Sequence, residues 1–128
     1  MASILRVNTL TDASSNNSIA TSFVAGGSAK AWGLLNGTGT VAIRDSFNIS
    51  GISDGGTGKL TVSIGDDMSS ADYGITLRSD VDDTVQTSRF YNPEIYTRSA
   101  GAINLVTYSN SAEEDHAYVD IAVHGDLA

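Results

Sequence analysis

Apolar side chains recur at every second position along most of this chain, the period a half-buried β-strand requires. In residues 41–49, Val41, Ile43, Phe47 and Ile49 share one parity. Leu60, Val62 and Ile64 alternate with Thr61 and Ser63, and Ile75 and Leu77 flank Thr76. Near the C-terminus Val119, Ile121 and Val123 alternate with Asp120 and Ala122. Residues 103–108 are β-branched and aromatic enough to form a further strand. A helical period fits poorly, and only residues 66–73 and 111–117 leave room for a turn or two of helix.

Turn signals separate these runs. Asn36-Gly37-Thr38-Gly39 follows the run around Trp32, and Asp54-Gly55-Gly56-Thr57-Gly58 separates Ile52 from Leu60. The second reads as a hairpin whose glycines supply positive φ angles. Asp66-Asp67 and Asp80-Val81-Asp82-Asp83 are further breaks. Short strands punctuated in this way predict an all-β fold, an antiparallel β-sandwich or jelly-roll-like domain. The first 28 residues differ in composition. Residues 4–10 suit a short strand, whereas 13–18 and 25–28 read as small polar linkers. The expected division is an extended N-terminal arm over residues 1–28 and a sandwich over 29–128. An arm with little core of its own gains order by lying on a neighbouring subunit or particle; the alternative is a frayed terminus with one edge strand.

A chain of 128 residues and 13.3 kDa suits one domain. Seven basic side chains against fifteen acidic ones give a net charge of -8. That sign opposes phosphate tracking, which depends on counterion release by Lys and Arg, so no nucleic-acid partner is expected. No apolar run approaches the ~20 residues that span a bilayer, so no membrane insertion is expected. The first residues also lack the basic and apolar regions of a secretory signal. With no cysteine, the chain has no disulfides, thiol catalysis or thiolate metal sites.

Few residues suggest chemistry. Gly58-Lys59 superficially suggests a phosphate-binding loop, but Ser53 stands where the first glycine belongs and Leu60 where Ser or Thr would hold magnesium. The acidic clusters 66–67, 80–83 and 113–115 lack the spacing of a calcium loop and read as solvated charge. His116 and His124 are too few for a zinc site without cysteine, and no nucleophile elbow accompanies them. Both are expected at the surface or at a subunit interface. No catalytic residue, metal site or cofactor is therefore assigned. Trp32 and Phe47 lie within strand patterns and are expected in the core. Tyr91 to Tyr96 surround the sole proline, Pro93, and are expected to form a loop. Its tyrosines either stack sugars or a partner surface, or cap the end of the sandwich.

Three stretches together resemble a known family. They are Gly27-Ser28-Ala29-Lys30-Ala31-Trp32, the run from Asn36 to Ser50 (Asn-Gly-Thr-Gly-Thr-Val-Ala-Ile-Arg-Asp-Ser-Phe-Asn-Ile-Ser), and the ending Ile121-Ala122-Val123-His124-Gly125-Asp126. Their order and spacing resemble a β-rich domain of tailed bacteriophages, often of marine hosts, described as tail-fibre or virion structural protein. Residues 5–12 are similar to the short leader that precedes this domain. The likeness is strong from Gly27 to Tyr73 and weak from Ile75 to His116. It implies a non-enzymatic component on the exterior of a virion, commonly a homotrimer, in contact with other virion proteins. Two roles follow. In the first, the domain attaches the particle to a host-cell surface glycan through Phe90, Tyr91, Asn92, Tyr96 and Arg98. In the second, it is a capsid decoration or head-fibre protein docked on the shell through its arm, with Ile4, Leu5, Val7 and Leu10 as docking residues.

Overall fold

The computed structural model describes residues 3–82 and 90–128. As the alternation predicts, the chain folds as an all-β antiparallel sandwich. The strands of the first sheet are β3 (Ala31–Asn36), β4 (Ala42–Phe47), β7 (Gly74–Asp80) and β11 (Tyr118–His124), in the order β4-β3-β11-β7. The second sheet contains β5 (Ile49–Asp54), β6 (Lys59–Ile64), β8 (Tyr91–Arg98) and β9 (Ala102–Ser109), with β9 between β6 and β8. A two-residue strand, β10 (Ala112–Glu113), also pairs with β9. Every pairing is antiparallel.

Alternation decides which side chains meet in the middle. Ala31, Leu35, Val119, Ile121 and Val123 of the first sheet join Leu60, Val62, Ile64, Ile103 and Leu105 of the second in one core. At roughly 25 cal/mol per Å² of apolar surface removed from water, these residues provide the main stabilising term.

Two bulges reset the alternation. Leu35 lies opposite Ile43 but Leu34 lies opposite Asp45, so Arg44 is an extra residue in β4. Ile49 lies opposite Ile64 but Gly51 lies opposite Ser63, so Ser50 is extra in β5. A bulge moves every later residue to the other face. Ile43 therefore points inward, while Phe47 pairs with Trp32 on the outer face. The expectation that Trp32 and Phe47 are core is corrected: they are 38% and 55% exposed.

Asn48 turns the chain from the first sheet to the second, with φ 54°. Its amide donates to the Lys30 and Asp66 carbonyls (3.0 and 3.1 Å), and its side-chain oxygen accepts from the Asp66 amide (2.6 Å).

The N-terminal residues stand outside this core. β1 (Thr9–Thr11) and β2 (Ser18–Ala20) form a hairpin, and α1 (Thr21–Gly27) follows. The stretch 13–18 is the hairpin's turn and start of β2 rather than a linker, and residues 25–27 lie in the helix. Asp12 organises the turn by accepting from the Asn16 amide and the Asn17 side chain (3.0 and 2.8 Å). Those bonds, the Asn17 side chain first, hold its carboxyl below the usual range. The Lys30 ammonium binds the Ala25 carbonyl near the end of α1, where a cation is favoured. α1 buries no residue. The two helices allowed by the sequence are absent: residues 66–73 are bends and a single bridge from Met68 to Leu127, and β10 occupies part of 111–117.

Candidate contact surfaces

The stretch 91–96 is not a loop. It lies in β8, which pairs along its length with β9 at the margin of the second sheet. Proline is tolerated at such a margin because no neighbour needs its missing N–H. Pro93 lies opposite Thr107, whose amide donates to the Gly58 carbonyl on the other side (2.8 Å), so the proline nitrogen faces the edge on which no described strand pairs.

This strand divides the five candidate contact residues. Asn92, Glu94 and Tyr96 are exposed, whereas Tyr91, Pro93 and Ile95 are half-buried. Tyr96 is the extra residue of a bulge, since Ile95 lies opposite Leu105 and Thr97 opposite Asn104. It is 53% exposed, and Phe90, just before the strand, is 79% exposed. The Asn92 amide donates to Glu94 Oε1 (2.7 Å). Tyr91 turns inward, its ring edge-on to His116 with centroids 5.2 Å apart. Arg98 lies beyond the bulge, opposite the core residue Ile103. It donates to the Tyr73 carbonyl (2.9 Å) and sits 5.5 Å from the centroid of that ring. Burial raises the Tyr73 phenol above its usual range, against the opposing pull of Arg98. Phe90, Asn92 and Tyr96 thus remain accessible together; Arg98 is exposed as well but is bonded to Tyr73, while Tyr91 turns inward to help close the sandwich. No residue pattern signals the polar ladder beside them, where Thr61 donates to Asn104 (2.6 Å) and Asn104 to Thr97 (2.7 Å).

His116 is the principal surprise. It is fully buried, with Nδ1 2.8 Å from Ser79 Oγ and Nε2 3.3 Å from Ser109 Oγ. The surface expectation holds for His124, which is exposed, and fails for His116. Both ring nitrogens of His116 face serines, so among the described residues the imidazole is oriented by hydroxyls rather than by the carboxylate of a catalytic triad. Burial holds its pKa below the ordinary 6.5, opposed by the carboxylates of Glu114, Asp80 and Asp115. The sign follows from linkage. Stability is complete above pH 6.5 and falls as pH drops toward the folded pKa, because the unfolded chain takes up the proton first. The expected slope below pH 6.5 is at most about 1.4 kcal/mol per pH unit. Urea titrations from pH 8 to 5 should show this slope in the native chain and not in His116→Gln. An equal slope in both would place its origin elsewhere.

The loop resembling a phosphate cradle already holds an anion of the protein's own. The Gly58 amide donates to Asp115 Oδ1 (2.6 Å), and Lys59 pairs with Glu113 (3.1 Å). Among the described residues no three His, Asp or Glu side chains gather where a metal ion would fit. The acidic run 80–83 extends outside the described residues at Asp83. No described helix is long and apolar enough to cross a membrane.

The docking candidates Ile4, Leu5, Val7 and Leu10 are all exposed. Leu10 lies opposite Ile19 in the hairpin, and the two help line a shallow hollow. No family model matches the chain, and no curated protein or solved structure matches it.

Proposed function

We propose that the protein is a non-enzymatic structural component on the exterior of a phage particle, a tail-fibre-type domain that forms a homotrimer and attaches the virion to host-surface glycan. The observation that carries this reading is the margin at β8, where Phe90, Asn92 and Tyr96 stand exposed beside one another in the chain. Aromatic faces stack on the apolar faces of sugars, and an amide satisfies hydroxyl groups. Three copies would multiply weak contacts through effective concentration. The resemblance of Gly27–Trp32, Asn36–Ser50 and the C-terminal run to phage fibre domains supports the particle assignment.

The test is adsorption of the purified protein to host cells and to glycan arrays. Phe90→Ala and Tyr96→Ala should each weaken binding about three- to tenfold, the equivalent of one stacking contact. Binding that both variants retain in full would remove β8 as the contact surface.

A second reading, capsid decoration or head fibre, is favoured by the arm. Seven of the twelve large apolar side chains exposed among the described residues lie in residues 3–28. In that role the arm docks on other virion proteins of the shell. Imaging of intact particles separates the two, with many copies on the head for decoration and few at the tail for attachment.

A further inference from the structure

The arm and the outer face of the first sheet are complementary. Trp32 and Phe47 lie opposite each other on that face, and the next row along it holds Leu34 opposite Asp45. Asp45 is exposed and binds the amide of its own neighbour Ser46 (2.9 Å), whereas Asp120 on the same row is paired with Arg78 (3.0 Å). The face therefore offers two apolar rings and, two residues along β4, a carboxylate with no ion pair among the described residues.

The arm offers the converse. Ile4 and Arg6 are exposed, two residues apart, and Arg6 forms no ion pair among the described residues. Two residues of extended chain span about 6.6 Å, which is also the spacing of Phe47 and Asp45 along one face of β4. Charge favours the same match. Residues 1–28 contain one arginine and one aspartate, so the net charge of -8 resides entirely on residues 29–128. Two sandwiches meeting face to face would repel, while a neutral arm meets a sandwich without that cost.

We propose that the arm of one copy lies on the Trp32–Phe47 face of a second copy, with Ile4 on the rings and Arg6 paired to Asp45. This rests on the self-association in the reading above and names the surfaces that meet. Each copy gives one arm and receives another. Such a head-to-tail contact closes into a ring when the rotation permits, as three copies do.

Sedimentation of the full chain over a dilution series provides the test. Arg6→Asp and Asp45→Arg should each raise the dissociation constant about tenfold or more, and the double exchange should restore it. Both residues are exposed, so circular dichroism should be unchanged in all three variants. Trp32 is the sole tryptophan, and its emission should shift to the blue as protein concentration rises. An oligomer indifferent to both single exchanges overturns the arm-to-face contact and leaves self-association standing. A 13.3 kDa monomer at every concentration overturns both, without touching glycan binding. Emission that responds to oligosaccharide and not to protein concentration likewise overturns the proposal, in favour of a sugar on the rings.

Discussion

Replacing Gly58 with alanine is expected to cost about 3–5 kcal/mol, one of the two largest effects of any single exchange outside the apolar core. The backbone there has φ +70°, a region in which an L side chain is strained by roughly 1–2 kcal/mol. The added Cβ would also lie 2.7 Å from the Thr107 carbonyl oxygen and 3.0 Å from the Glu114 nitrogen. Both are backbone atoms fixed by pairing. The Thr107 amide donates to the Gly58 carbonyl (2.8 Å), and the Glu114 amide donates to the Thr107 carbonyl (3.0 Å). Relieving the clash means displacing a junction of three chain segments. Gly56 provides the control, because its φ is +104° but nothing lies within 4 Å of an added Cβ. Thermal or urea unfolding should show Gly56→Ala losing only the backbone term. Equal losses for the two variants would show that the loop moves aside and that close approach is unimportant.

Asn48→Ala is the second large expected effect, at about 3 kcal/mol. Alanine takes a positive φ at a cost and removes all three side-chain bonds to Lys30 and Asp66. Asn48→Gly relieves the first loss and retains the second. The glycine variant should therefore recover about 1 kcal/mol relative to alanine. A glycine variant as stable as the native chain would show that the bonds at this corner contribute nothing.

The fold was legible because period two is a direct consequence of strand geometry. Leu60, Val62 and Ile64, and Val119, Ile121 and Val123, point inward as their spacing predicts. Phe47 shows where that reading fails. It shares the parity of Ile43, but the extra residue Arg44 turns it outward, and no pattern of residue types announces the bulge. Pro93 misled for a related reason. Proline signals a turn locally, and only the order of strands shows that its nitrogen faces an open margin. The surroundings of His116 were equally hidden, since its partners are 37 and 7 residues away and meet only when β7, β9 and the approach to β11 converge. α1 offers neither a capping side chain nor a buried face, the two signals by which a sequence marks a helix. Among the five candidate contact residues, Phe90, Asn92 and Tyr96 are accessible, whereas the inward turn of Tyr91 and the bonds of Arg98 to Tyr73 were not legible in the sequence.

The outer margin of β8 has a further consequence for crowding. A strand with a full comb of amides and carbonyls recruits neighbours by zipping, and a protein present in many copies would be drawn into fibrous aggregates. Pro93 removes one tooth of that comb, and the extra residue Tyr96 throws the remainder out of step. Copies can therefore be packed densely without fusing along this edge. Pro93→Thr together with deletion of Tyr96 would produce a chain whose solubility, rather than its folding, limits how closely it can be assembled.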